Sequence, residues 1–297
     1  MGFRGRFALA CSAWAALLVG PATATADTAT CNYTAATHTA NVTVTPGTGF
    51  STGMSIRQSD GALVVESSAS ASPCGMATRT NTDTIRVTGN GAATRGSIFR
   101  LGTRVPFAPG FTDEPGSSDE IEMSFDFSSG GRWYLTPSGT SSPIPLNLAF
   151  GGNQVNLNAG ETDGIDADAV VAGVYTVFVE GSLAADTILA NGSAGTSGHP
   201  FALRMVASMS SGTDLIVGGK RGDDLSGGLD PDTIFGGKGK DSLKGLGGKD
   251  RLFGQAGNDK LLGGAARDRL DGGAGRGDAC TTKGDRVRRC ELPARNK

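Results

Sequence analysis

Histidine is almost absent. His38 and His199 are the only two in 297 residues, so the paired histidines of an H-E-x-x-H metalloprotease do not exist here. No C-x-x-C occurs, which removes the usual ligand spacing of structural zinc. None of the glycine runs ends in Gly-Lys-Ser/Thr, and a phosphate-binding P-loop is excluded with it. Beyond the first 26 residues helical periodicity is missing, and no apolar run reaches the length of a membrane span. No pore-forming segment of the toxin kind is present. Lysine is absent before Lys220, and all eight lysines follow it. Residues 27–211 are left acidic, with sixteen Asp and Glu against eight Arg. Residues 212–278 are formally neutral, with eleven Asp and eleven Lys or Arg. The end, 283–297, has six basic and two acidic residues. It reads as a solvated end, with affinity for polyanions as the stronger version of that reading.

What is present begins with an export signal. Arg4 and Arg6 precede a mostly apolar stretch from Phe7 to Val19, and Ala24-Thr25-Ala26 supplies an A-x-A cleavage site. Residues 1–26 are therefore expected to be a signal peptide cut after Ala26, and the protein to be secreted or held at the cell surface. Cys11 leaves with that peptide. Four cysteines remain, Cys31, Cys74, Cys280 and Cys290. Four allow three connectivities, and an oxidising compartment favours bridges over free thiols. Cys31–Cys74 with Cys280–Cys290 is the favoured pairing, because the open ends of a stacked fold need caps.

Stacking is indicated by the strongest pattern in the chain. Aspartate falls at every ninth residue: Asp214, Asp223, Asp232, Asp241, Asp250, Asp259 and Asp268. Two residues after each stands Ile or Leu: Ile216, Leu225, Ile234, Leu243, Leu252, Leu261 and Leu270. The best copy runs Gly236-Gly237-Lys238-Gly239-Lys240-Asp241-Ser242-Leu243-Lys244, which is the calcium-binding nonapeptide G-G-x-G-x-D-x-U-x. Nine residues suffice for a glycine-rich turn and a short strand. The strand turns one side chain inward and its neighbours outward, so stacking piles the Ile and Leu residues into one ladder. Stacking also brings like-charged carboxylates together, and like charges oppose ionisation. A hard divalent ion relieves that conflict, and calcium takes 6–8 oxygen ligands from carboxylates and carbonyls. Binding to a site absent from the unfolded chain becomes folding free energy.

The array resembles the repeats-in-toxin (RTX) family. That resemblance implies a parallel β-roll with two nonapeptides per coil and calcium between turns on one side. Asp214, Asp232, Asp250 and Asp268 would then line one side, and Asp223, Asp241 and Asp259 the other. Gly237, Gly239, Gly248 and Gly257 would belong to the turns that hold the metal. About five sites fit between like-sided neighbours. Some copies depart from the pattern. Arg221, Asp230 and Ala266 replace the fourth-position glycine, Leu246 and Gln255 the second. The eighth copy slips, with Gly277 in the aspartate position and Asp278 one residue late. Neutralisation of some carboxylates by Lys or Arg, in place of metal, stands as the competing account.

Residues 27–211 are rich in Thr, Ser, Gly and Ala, with short β-branched runs, and read as all-β. Faint D-x-I echoes of the repeat occur at Asp83-Thr84-Ile85, Asp119-Glu120-Ile121 and Asp186-Thr187-Ile188. One account is an irregular β-solenoid that tightens into the roll; the other is a separate β-sandwich. The expected organisation is signal peptide 1–26, irregular β region 27–211, calcium array 212–278 and a basic, disulfide-capped tail 279–297. As a whole the chain resembles secreted bacterial calcium-binding proteins of actinobacterial type, with Arg289-Cys290-Glu291 as a Cys-x-Glu ending.

Catalytic motifs are sparse. Gly49-Phe50-Ser51-Thr52-Gly53 matches the G-x-S-x-G elbow, but nothing after it reads as the helix that elbow requires. Glu161, Asp163, Asp166 and Asp168 form the densest acidic cluster, open to use as paired carboxylates or as another calcium site. The expected function is a non-enzymatic, exported calcium-binding roll with a structural, adhesive or surface role. Extracellular polysaccharide or cell-wall polymer is the expected partner, and nucleic acid is not. The alternative is a secreted polysaccharide- or ester-active hydrolase or lyase stabilised by the same module.

Overall fold

The structure is a computed structural model that describes residues 28–45, 51–56, 62–66, 71–78, 81–82, 84–90, 93–102, 122–128, 131–138, 147–156, 169–193, 196, 198–281 and 284–293. The N-terminal segment, the acidic cluster at 161–168 and the echoes at Asp83 and Asp119 lie outside the described residues. Ser51 opens the strand Ser51–Ile56, and Gly53 lies within it. The elbow's strand-turn-helix setting is therefore not formed at this position.

The described residues contain twenty-five strands and no helix. The strands form two sheets, of thirteen and twelve strands. From Thr84 onward the chain passes between them and like-sided segments pair in parallel, except that Gln154–Asn156 pairs antiparallel with both Asn147–Gly151 and Ala169–Ala172 in one sheet. In the array the pairing is offset by one coil. Ile216, Ile234, Leu252 and Leu270 align in one sheet. Leu225, Leu243, Leu261 and Cys280 align in the other. All eight are buried, at 0–1% exposure, so the aliphatic positions of the repeat form the two facing halves of a narrow core. Each fully buried Leu or Ile contributes about 1.5–3 kcal/mol of transfer free energy.

The two sheets continue without a break past residue 211. Ile188 pairs with Ile216 in one and Ala207 with Leu225 in the other. The earlier coils are longer and their interior is filled by larger groups, with Phe125, Phe127, Phe150 and Phe201 all fully buried. Phe150 and Phe201 pack with ring centroids 5.1 Å apart. At the N-terminal end the coils give way to antiparallel strands: Thr28–Thr34 pairs with Thr39–Thr45, and Ala62–Glu66 with both Ser51–Ile56 and Ala71–Thr78.

Both ends are stapled. Cys31, on the outermost strand of one sheet, is bridged to Cys74, on the outermost strand of the other, with Cα atoms 5.1 Å apart. Cys280 is bridged to Cys290 at the opposite end, Cα atoms 5.9 Å apart. This is the pairing the sequence favours; Cys31–Cys74 ties the two sheets together, and Cys280–Cys290 ties the strand Ala279–Cys280 to the segment that follows Arg286–Arg288.

Candidate metal centre

Each aspartate of the array stands one residue before or at the start of a strand, at the corner where the turn enters a sheet. The corner positions repeat, so the carboxylates stack. Asp214, Asp232, Asp250 and Asp268 occupy one side of the roll, and Asp223, Asp241 and Asp259 the other. All seven are buried, at 1–2% exposure.

One oxygen of each carboxylate is committed to the coil before it. The backbone N–H of Asp214 donates to Asp232 Oδ1 at 2.9 Å, Asp232 to Asp250 at 2.9 Å and Asp250 to Asp268 at 3.0 Å. On the other side Asp223 donates to Asp241 at 2.8 Å and Asp241 to Asp259 at 2.9 Å. The second oxygen is different. Oδ2 of Asp214, Asp232, Asp241, Asp250, Asp259 and Asp268 is buried and has no hydrogen-bond partner. Asp223 is the exception, its Oδ2 accepting from Gly219 N–H at 2.9 Å. A buried, unpartnered carboxylate oxygen is costly, and its repetition at six positions calls for a counter-ion or a proton.

The space beside that oxygen is shaped by the first glycine of each repeat. A Cβ on Gly236 would meet Asp241 Oδ2 and the carbonyl oxygen of Gly254, one coil on. Gly245 stands in the same relation to Asp250 Oδ2 and Gly263 O, and Gly254 to Asp259 Oδ2 and Gly272 O. Carboxylate and carbonyl oxygens thus converge on a point that only a missing side chain leaves open. An all-oxygen donor set suits a hard cation of the calcium kind. The residues present fit the group.

Gly237, Gly239, Gly248 and Gly257 all have positive φ, from 86° to 148°. Their visible task is close stacking: a Cβ on Gly239 would strike the backbone of Arg221, and one on Gly257 the carbonyl of Gly239. Leu246 and Gln255, which replace second-position glycines, keep the left-handed turn at φ 77° and 71°. The fourth-position replacements divide: Ala266 also keeps it, at φ 72°. Asp230 instead uses its side chain, Oδ2 accepting from Gly212 N–H at 3.0 Å.

The electrostatics follow from burial. It pushes the Asp241 carboxyl up to about 8, Asp214 and Asp250 to about 7, and Asp223 and Asp232 to about 6. The N–H bonds to Oδ1 oppose that rise. At Asp241, Asp214 and Asp250 the charge on the neighbouring rungs adds to it. Asp259 and Asp268 are raised for the same leading reason. Lysine and arginine form no ion pair with the ladder: among the described residues the ion pairs are Arg204–Asp224 and Arg289–Asp271, both off it, although the Arg204 charge partly offsets the rise at Asp223.

The ladder is longer than the nine-residue period shows. Asp186 N–H donates to Asp214 Oδ1 at 2.7 Å, across 28 residues. Asp259 N–H donates to Asp278 Oδ1 at 2.8 Å, so the slipped copy regains its place with one extra residue in the turn. Asp278 Oδ2 is buried and unpartnered like the others. Asp268 N–H then donates to Asp285 at 3.2 Å and Asp278 N–H to Glu291 at 2.9 Å. The D-x-I of Asp186-Thr187-Ile188 was the available signal at the front; Asp285 and Glu291 had no repeat around them to mark them.

Residues 210–243, 217–252 and 244–278 match the family model described as RTX calcium-binding nonapeptide repeat (4 copies). This stretch is an RTX-type calcium-binding β-roll. The RTX match spans under a quarter of the chain, 210–278 of 297 residues. No curated protein and no solved structure matches the chain.

Proposed function

We propose that this chain is an exported, non-catalytic protein of structural or adhesive role, whose RTX array becomes rigid when it meets extracellular calcium. The observation that carries the reading is the row of buried Oδ2 atoms without partners, those of Asp241, Asp250 and Asp259 sharing their space with a glycine carbonyl of the next coil. The ion would be held by Oδ2 of Asp214, Asp232, Asp250 and Asp268 on one side and of Asp241 and Asp259 on the other, with Asp223 beside them. Carbonyls such as those of Gly254, Gly263 and Gly272 complete the set. Bound there, calcium supplies the positive charge that lets adjacent carboxylates ionise together.

The chain's own residues do the rest. Backbone N–H groups fix Oδ1, the first glycines keep the pocket open, and the Ile and Leu ladder holds the coils in register. Two disulfides at the ends suit an oxidising compartment, which agrees with the export signal at 1–26. Calcium is scarce inside cells and plentiful outside, so the roll would firm up after export. The test is calcium calorimetry on residues 27–297, with circular dichroism in chelator and in millimolar calcium. Several bound ions with a gain in β-structure or stability support the reading. Identical fold and stability in both conditions would sink it.

A further inference from the structure

The outer face of one sheet carries a row of cations in register. In parallel strands residues in register stack across the sheet, and Arg251, Arg269 and Arg286 stand in register on successive strands. Strands lie about 4.8 Å apart, so these three guanidinium stems leave the sheet at that step along the roll axis. Lys249 and Arg267 precede the same strands, and the five cations line one surface recess of about 400 Å³. All five are exposed. Asp250 and Asp268 border the recess as well, but both are buried, with Oδ1 taken by the coil before. Of the acids beside the row, Asp271 is held by Arg289 at 2.6 and 2.7 Å, and Asp285, just before Arg286, accepts from Asp268 N–H and Thr281 Oγ1. Among the described residues none of the five cations has an ion-pair partner.

Like charges in register across strands destabilise a sheet. Three arginines in one row, flanked by two further cations, point to an anionic ligand that offsets the repulsion. Beside the row lie Phe235 and Phe253, stacked at 4.8 Å, with the Arg269 guanidinium 5.7 Å from the Phe253 ring centroid. Phe253 therefore has Phe235 against it on one side and Arg269 on the other. Base stacking needs a free ring face, and Phe253 offers none.

We propose that this face binds an anionic polysaccharide, a polymer with about one carboxylate or sulfate per sugar ring, laid along the roll axis. The interstrand step is close to the length of one pyranose ring, so the row of arginines and the two flanking cations can follow the acidic groups along the polymer. Arginine is suited to this by its planar fork, which takes a carboxylate or sulfate through two parallel bonds. The choice of polymer rests on the extracellular reading above; the cationic row itself does not.

The experiment uses the disulfide-intact chain 27–297 in saturating calcium against immobilised dextran sulfate, short oligogalacturonate, neutral dextran and single-stranded DNA. A triple variant, Arg251→Gln with Arg269→Gln and Arg286→Gln, is compared with Lys244→Gln on the other sheet. Calcium stoichiometry and circular dichroism are recorded for both. The expected result is salt-sensitive binding to dextran sulfate and oligogalacturonate but not to neutral dextran, weakened about tenfold or more by the triple variant and unchanged by Lys244→Gln. Calcium stoichiometry stays as in the parent. A loss in Lys244→Gln as large, per charge removed, as in the triple variant would reduce the effect to net charge and overturn the site. Tighter binding to DNA than to either sugar polymer would reassign the face and overturn the polysaccharide. Unchanged polymer binding with altered calcium affinity would make the arginines mere counter-charges to the aspartate ladder, and no binding to any probe would also end the proposal. Failure of calcium binding in the parent chain is read separately, in the calorimetry.

Discussion

An aspartate of the array divides its work between two oxygens: one fixes the preceding coil, and the other is left bare inside the protein. Asp241→Asn separates these tasks. The amide oxygen can still accept the Asp223 N–H, while its NH₂ faces the Gly254 carbonyl without charge. The metal-free protein should gain about 1–3 kcal/mol, the usual cost of an unsatisfied buried polar group, and the calcium-induced rise in Tm should shrink. Thermal melts in chelator and in calcium read both effects; a variant less stable in chelator would contradict the account. Titration follows the same logic. Burial holds Asp241 at about 8 and Asp214 and Asp250 at about 7, against about 3.9 in an unfolded chain. Those groups keep their protons longer in the fold than out of it. The metal-free roll should be most stable below about pH 4 and lose that stability as pH rises through 6 to 8. Calcium displaces the same protons, so its apparent affinity should rise over that window. Calorimetry at about pH 5.5 and about pH 8 checks the slope. Leu246 and Gln255 hold left-handed turns at a cost of about 1–2 kcal/mol each. Leu246→Gly, at an exposed site, is expected to raise Tm in calcium.

At the scale of the coil, the repeat was legible because each strand of the array buries a single aliphatic residue and each corner a single carboxylate. One inward residue per nine leaves a period that survives substitution elsewhere, as at Leu246 and Asp230. The earlier coils have no such economy. Their interior takes Phe125, Phe127, Phe150 and Phe201 at unequal spacing, and 28 residues separate Asp186 from Asp214 where the array uses 18. A coil that lengthens by insertion keeps its pairing and loses its period. The bare Oδ2 was not legible at all, since it depends on where the next coil's glycine carbonyl falls. Gly245→Ala tests that geometry: its Cβ would meet Asp250 Oδ2 and Gly263 O. Calcium stoichiometry should fall by about one site while the fold persists. Leu243→Ala, by contrast, should cost about 2–5 kcal/mol through the cavity it leaves between Leu225 and Leu261, with stoichiometry unchanged in calcium.

For the molecule as a whole, the two bridges matter more than their number suggests, because they fasten the chain at the ends where stacking stops. They close spans of 43 and 10 residues, for which chain-entropy estimates give about 4 and about 3 kcal/mol. Denaturant melts with and without reductant should show losses of that order, the larger on opening Cys31–Cys74.

The hydrogen bonds of the aspartate ladder all run in one sense, from an amide to the carboxylate of a later coil. A stack built this way has a front and a back. Removing coils from the beginning frees carboxylates, which water readily accepts. Removal from the end opens a row of amides that must turn to water in place of a carboxylate, down to those of Asp268 and Asp278, which Asp285 and Glu291 now serve. A roll stacked from its amino-terminal end would therefore carry an unfinished edge until its last coil arrives, and only then could the whole stack lock.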